Sequence, residues 1–151
     1  MRILLPVDGS VYSDAAIDEI VKRPWPSNSE IKVITVAEIP VMIGIEPWVA
    51  SPEYLEVIEK GVRSTAQDLI SKAITRLDAI DDKTLKVSTE IIEGSPRQVI
   101  VDEAEKWNAD LIVMGSRGLG AWSRLLVGSV SSAVVHHAKC SVEIVRTRKR
   151  E

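Results

Sequence analysis

Short apolar runs and segments of helical periodicity alternate along the whole chain. Continuous or alternating apolar runs of six to nine residues predict β-strands at 2–7, 31–37, 85–93, 110–115 and 140–146. Apolar positions at steps of three and four predict helices between Ser10 and Pro24, over 55–77, from Pro96 through Ala104, and over 129–138. The order β-α-β-α-β-α-β-α-β predicts a single α/β domain over 1–151, with a parallel sheet covered by helices on both faces.

Local signals indicate where the helices begin and end. Ser10 or Ser13 is expected to cap the first helix, because both hydroxyls precede its apolar stripe. At 95–98 serine is the expected cap, proline takes the first helical position, and glutamine can close a capping box. Asn108 is the expected C-terminal cap of that helix.

Two segments carry more apolar residues than a simple connection needs. The stripe on the second helix runs from Leu55 to Leu77 and predicts core packing, since it is too short for a coiled coil. The loop of about fifteen residues before it exceeds the usual connection length and holds the apolar stretch Ile39–Val49. That stretch could cover a ligand, meet a partner or fold back on the core.

Composition narrows the function classes. The net charge is −3 and aromatic residues make up 4% of the 151 residues, so neither a nucleic-acid-binding surface nor a base-stacking platform is expected. No stretch has the length and hydropathy of a membrane span. Cys140 is the only cysteine, which excludes an intrachain disulfide and fits a reducing, cytoplasmic location.

Open parallel sheets bind ligands at the carboxyl ends of the strands, where the strand order reverses. If the first strand is central, that point lies between the first and fourth strands, and the loops at 6–10 and 115–118 meet there. A helix predicted to begin at Gly128–Ser131 adds free backbone N–H groups and serine hydroxyls. These features predict an anion site, with phosphate the expected group.

The glycine pattern differs from the two common phosphate loops. Gly115-x4-Gly120 is followed by Ala121 and Trp122, so the Lys-Ser/Thr pair of a P-loop is missing. Ser123 stands where a dinucleotide fingerprint would have its third glycine. The pattern that remains is G-x2-G-x9-G-S, formed by Gly115, Gly118, Gly128 and Ser129.

This pattern resembles the G-x2-G-x9-G-[ST] signature of the ATP-binding subgroup of universal stress proteins. The resemblance covers the whole chain and includes ILLPVDGS at 3–10, DLIVMGSRG at 110–118 and LLVGSVSSAVVHHAKC at 125–140. It implies a doubly wound five-stranded parallel sheet of order 3-2-1-4-5, binding of ATP (or ADP or AMP), and a homodimer formed through the last strand. Lys139-Cys140-Ser141-Val142 departs from the P-C-P-V common in that family, which affects the expected dimer contact.

The resemblance also implies roles for particular residues. Pro6, Val7 and Asp8 would lie beside the adenine and ribose, and Val36 and Met114 would pack on the adenine. The positions implied around the ribose and phosphates are Gly115, Arg117, Gly118, Gly128, Ser129, Val130 and Ser131.

Three side chains allow more than one interpretation. Asp8 could cap the first helix, or could bond a ribose hydroxyl or a Mg²⁺-bound water. Arg117 could reach a phosphate or point to solvent, and Arg124 is equally open.

A zinc site at His136, His137 and Cys140 is disfavoured because adjacent helical histidines point in different directions and a fourth ligand is missing.

The expected function is nucleotide binding rather than catalysis. The predicted site contains hydroxyls, backbone N–H groups and one carboxylate, but no histidine or lysine. The sequence therefore favours an ATP-dependent stress-response or signalling module. Two alternatives stay open: slow Mg²⁺-dependent ATP hydrolysis or phosphoryl transfer at the same site, and a nucleotide-free dimeric interaction protein.

Overall fold

The structure is a computed structural model that describes residues 1–38, 51–119 and 127–147. The apolar stretch Ile39–Val49 and the residues Gly120 and Arg124 lie outside this part, as does the end of the basic tail. Expectations about those residues stay predictions.

The described elements follow the predicted alternation of strands and helices. The strands are β1 Arg2–Pro6, β2 Glu30–Ala37, β3 Lys86–Glu93, β4 Leu111–Gly115 and β5 Ser141–Val145. The helices are α1 Val11–Lys22, α2 Pro52–Leu77, α3 Pro96–Lys106 and α4 Ser129–His137. None of these helices is long and apolar enough to cross a membrane.

The five strands form one parallel sheet of order β3-β2-β1-β4-β5, as the family resemblance implied. The chain builds outward from β1 to β3 and then returns to the other side of β1. β4 pairs there, with Ile3 opposite Leu111 and Leu4 opposite Ile112. The order therefore reverses between β1 and β4, which opens a crevice at the carboxyl ends of these two strands.

The core lies on both faces of the sheet because successive strand residues point to opposite sides. Ile3 and Leu5 pack with α1 and the second half of α2, whereas Leu4 packs with α3 and α4. All three side chains are fully buried. A central parallel strand buried on both faces has to be apolar throughout, which explains the continuous run at the start of the sequence.

Only the second half of α2 follows the prediction of core packing. Ala66, Ala73 and Leu77 are buried, whereas Leu55 remains 47% exposed. The physical reason is length: α2 has 26 residues and the strands beside it have eight. Its first half therefore extends past the carboxyl edge of the sheet.

The helix caps match the sequence signals in part. The Ser10 hydroxyl accepts a hydrogen bond from the Ser13 N–H at 3.1 Å and caps α1. Ser95 is the N-cap residue of α3, but its side chain makes no capping bond, so the predicted capping box is wrong. The Gln98 amide instead donates to Asp102 one turn later, at 2.7 Å. Asn108 follows the C-cap and adopts the left-handed φ of 53°.

A partly buried ion pair joins the sheet to α3. The Lys32 ammonium on β2 contacts Glu90 on β3 at 2.5 Å and also bonds Glu103 on α3. The Glu103 side chain is 5% exposed. Burial alone would raise the pKa of Glu103, but its hydrogen bonds from Lys32 and Lys106 outweigh burial, and the pKa lies below its ordinary value.

Replacing Glu103 by Gln should destabilise the protein in a pH-dependent way. A carboxylate with a lowered pKa stabilises the fold above its ordinary pKa, and this contribution is lost as the pH falls through the lowered value. We expect Glu103→Gln to cost about 1–3 kcal/mol of unfolding free energy at pH 7. Urea unfolding from pH 7 down to about pH 3 should show the difference from wild type shrinking.

Glu105→Gln is the matched control, because Glu105 lies on the same helix, is 56% exposed and pairs with Lys139 at the surface. It should cost less than about 1 kcal/mol. An equal cost for both variants, or a Glu103→Gln cost that does not change with pH, would contradict this account.

Candidate functional site

A cavity of about 910 Å³ opens at the carboxyl ends of the central strands. Its size is that of a typical small-molecule site. The structure places every sequence-predicted site residue on its wall: Pro6, Val7, Asp8, Val36, Met114, Gly115, Arg117, Gly118, Gly128, Ser129, Val130 and Ser131. Segments far apart in sequence are therefore brought together at the point where the strand order reverses.

Apolar side chains from several elements line the cavity. Val36 at the end of β2 and Met114 on β4 line it, together with Ile58 and Val62 of α2 and Ile100 of α3. The contributions from α2 and α3 were missed at the level of sequence. The available signal was the apolar stripe on α2. It continues through the first half of the helix, where the sheet is too short to pack against it.

The start of α4 also lines the cavity. The first backbone bond within this helix runs from the Ser132 N–H to the Gly128 carbonyl at 2.9 Å. The N–H groups of residues 129–131 precede that bond and have no acceptor within the helix. Because these residues line the cavity, the positive end of the helix dipole is directed at its contents.

The orientation of α4 depends on the carbonyl oxygen of Ser116. It accepts hydrogen bonds from the Gly128 N–H at 2.7 Å and from the Ser131 hydroxyl at 2.9 Å. Ser131 also lies 3.1 Å from the Gly128 carbonyl oxygen. Its hydroxyl is thus engaged with the backbone, and the expectation that it donates to a ligand stays a prediction. Ser129 is exposed and keeps its hydroxyl available.

Asp8 orders the turn before the Ser10 cap and also faces the loop after β4, whereas its role towards a ligand stays a prediction. One carboxylate oxygen accepts the Ser10 N–H at 3.0 Å and orders the turn before α1. The other faces Gly118, where an added Cβ would lie 2.7 Å from it. Gly118 therefore leaves the space that the Asp8 carboxylate needs at the cavity wall.

Gly115 is required by packing rather than by an unusual backbone angle. A Cβ at this position would lie 2.5 Å from the Tyr12 carbonyl carbon and 2.8 Å from the Ser13 nitrogen. The backbone of α1 thus rests directly on the end of β4. This contact fixes the distance between the two loops that face each other across the crevice.

Arg117 lies between the starts of two helices. Its carbonyl oxygen accepts the Ser10 hydroxyl at 3.4 Å, and its guanidinium carbon lies 4.9 Å from the centre of the Tyr12 ring. Tyr12 was not singled out from the sequence, because nothing in the local pattern indicates that α1 and the loop after β4 touch.

Cys140 lies away from the cavity. It directly precedes β5, so it sits at the amino end of the sheet. Burial raises the pKa of its thiol. Across the described ranges, no three His, Cys, Asp or Glu side chains gather into a metal site.

The architecture and this cavity define an open doubly wound α/β protein with a crevice at the reversal point that is lined by apolar side chains and by the start of a helix. The family model described as the universal stress protein family matches residues 1–146. The chain belongs to this family.

Individual relatives agree with that membership. The chain is similar to a universal stress protein of Methanocaldococcus jannaschii, with 32% identity over 153 residues that cover 99% of this chain and 84% of the relative. Among solved structures, a universal stress protein UspA from Lactobacillus plantarum has 27% identity and a TM-score of 0.77, with 97% of each chain covered. A universal stress protein solved in complex with cAMP has 25% identity and a TM-score of 0.69, with 98% of each chain covered.

Because Gly115 is required by packing, alanine substitutions at Gly115 and at Gly61 should change the stability of the protein in opposite directions. Gly115→Ala should cost about 1–3 kcal/mol, because the rigid backbone of α1 has to move away from the new methyl group. Gly61→Ala should stabilise by about 0.5–1 kcal/mol, since Gly61 lies inside α2, where nothing approaches an added Cβ within 4 Å. Thermal unfolding without ligand measures both, and a neutral Gly115→Ala would contradict the contact with α1.

Proposed function

We propose that this protein binds an adenine nucleotide, with ATP, ADP and AMP as the expected ligands. The observation that carries the proposal is that one cavity is lined both by apolar side chains and by the residues at the start of α4, whose backbone N–H groups have no acceptor within the helix. A nucleotide needs both kinds of contact, because its base has apolar faces and its phosphates are anionic. The family relative solved with cAMP supports this ligand class.

The positions of the lining residues suggest how the ligand would lie. The base would pack between Val36 and Met114, near Ile58, and the ribose would lie beside Asp8. The phosphates would meet the N–H groups at the start of α4 and the Arg117 guanidinium. This arrangement follows the distribution of apolar and polar groups and the roles that family membership implies.

Magnesium would enter with the phosphates rather than occupy a site built by the protein. Mg²⁺ in nucleotide sites is commonly held by one or two carboxylates together with phosphate oxygens and waters. Asp8 fits this pattern, because one of its oxygens orders the α1 turn and the other faces the cavity loop at Gly118. We therefore propose Asp8 as a ligand of Mg²⁺ through water.

The proposed role is a nucleotide-dependent stress-response or signalling module. Among the lining residues in the described part of the chain, Asp8, Glu38 and Arg117 are charged, and histidine, lysine and cysteine are absent. This set can hold a nucleotide but lacks a general base with an ordinary pKa near neutrality. Slow hydrolysis supported by Mg²⁺ and Asp8 is the alternative activity at the same site.

A homodimer through β5 and a cytoplasmic location belong to the same proposal. Within the described sheet β5 pairs with β4 along one edge. Its other edge could pair with a second copy around a two-fold axis. The single cysteine fits a reducing compartment.

Nucleotide binding should be visible as thermal stabilisation. A ligand at about 100 times its Kd adds about 2.7 kcal/mol to the native state, so we expect ATP to raise the melting temperature by several degrees. Mass spectrometry of nucleotide released from purified protein identifies the bound species. ATP recovered intact after long incubation with Mg²⁺ supports the binding module, whereas steady ADP release supports the enzyme. No shift with any adenine nucleotide would favour the nucleotide-free alternative.

Gly118→Val should abolish most of this stabilisation. The branched side chain would occupy the space of the Asp8 carboxylate and push it out of position. We expect at least about tenfold weaker binding, equivalent to about 1.4 kcal/mol. Ser88→Val on the exposed β3 strand is the control, and it should leave binding unchanged. Unaltered ATP affinity in a folded Gly118→Val protein would contradict the proposed place of the phosphates and Asp8.

A further inference from the structure

The pair formed by Tyr12 and Arg117 lies beside the cavity. Arg117 lines the cavity, whereas Tyr12, the second residue of α1, is not among the lining residues. The guanidinium carbon stands 4.9 Å from the centre of the Tyr12 ring, within the range of a cation–π interaction. The ring is thus placed to restrict where the guanidinium can go.

The backbone of Arg117 is fixed from two sides. The Ser10 hydroxyl at the α1 cap donates to its carbonyl oxygen at 3.4 Å. On the other side, a Cβ on Gly128 would lie 3.2 Å from the Arg117 Cα. A fixed backbone and a stacked guanidinium leave the side chain less freedom than an ordinary surface arginine has.

One donor of this arginine has no partner in the described part of the chain. The Arg117 Nε atom is buried and finds no acceptor there. A buried donor without an acceptor is costly, and a charged one more so. An anionic oxygen at the terminal nitrogens of the guanidinium would balance its charge, which favours a ligand with phosphate groups.

The charges on the cavity wall make Arg117 the residue that determines how strongly the site binds a ligand with several phosphate groups. Among the described lining residues, Asp8 and Glu38 are anionic and Arg117 is cationic. Each additional phosphate is repelled by the carboxylates and attracted by the guanidinium. The preference for longer phosphate chains should therefore depend on how firmly the guanidinium is held.

We propose that Tyr12 is a positioning residue that holds the Arg117 guanidinium at the cavity wall, and so sets how strongly the site prefers ATP to AMP and adenosine. This inference rests on the proposed nucleotide site and assigns a role to a residue outside its wall.

The test is a double-mutant cycle read with three ligands. Isothermal titration calorimetry in one Mg²⁺-containing buffer gives the Kd of ATP, AMP and adenosine for wild type, Tyr12→Ala, Tyr12→Phe, Arg117→Ala and the double variant. Tyr54→Ala is the matched control, because Tyr54 is the other tyrosine of the chain and lies in the first turn of α2, outside the cavity wall. Melting temperatures without ligand confirm that each variant is folded.

We expect Tyr12→Ala to weaken ATP binding about five- to tenfold and adenosine binding less than about twofold. Tyr12→Phe keeps the ring face and should restore wild-type affinity. In the Arg117→Ala background, Tyr12→Ala should have no further effect on ATP, because the group it positions is gone.

Two results would overturn the inference while leaving the proposed function intact. One is an equal loss of ATP and adenosine affinity in Tyr12→Ala, which would indicate a general disturbance of α1. The other is full additivity of the Tyr12→Ala and Arg117→Ala effects. If wild type binds none of the three ligands, the proposed function fails, and this inference fails with it.

Discussion

The carbonyl oxygen of Ser116 is the point on which the geometry of the crevice depends. It accepts the Gly128 N–H and the Ser131 hydroxyl, while the Ser116 N–H donates to the Val145 carbonyl of β5. Ser116 is 1% exposed, so these bonds are protected from water. One buried residue at the end of β4 thus joins the adjacent strand and the start of α4. A buried polar group has to be satisfied, and here that requirement directs the amide end of a helix towards the tip of β1.

The glycines around this point are needed because they leave room for close contacts, and not because their backbone angles are unusual. Gly115 admits the backbone of α1, Gly118 admits the Asp8 carboxylate, and Gly128 lies against the Arg117 backbone. Positive φ values among the described glycines occur elsewhere, at Gly9 and Gly94. Each of these three signature glycines therefore lies where two segments of the chain come into close contact in the folded protein.

Stability and ligand recognition share part of the core. The ion pairs of Lys32 tie β2, β3 and α3 together, and Ile34, Ile100 and Met114 of the apolar cluster on that face also line the cavity. Neither Glu103 nor Glu105 is among the lining residues, so both can be replaced to test stability without altering the cavity wall.

The sequence by itself determined the alternation of elements, and it indicated that loops at strand ends and a glycine-serine helix start would form the ligand site. It could do so because a buried parallel strand must be apolar, and a glycine-rich turn before a helix leaves few alternatives. The family resemblance supplied the strand order, which fixes the reversal point, and the individual site residues such as Val36, Met114 and Arg117. The capping box at 95–98 was wrong because Gln98 had a competing partner one turn later.

Only the tertiary structure decided that the first half of α2 lines the cavity, that the Ser131 hydroxyl donates to a backbone carbonyl, and that Tyr12 stacks on Arg117. These contacts join residues that are distant in sequence, and periodicity within one segment carries no information about which other segment will lie against it.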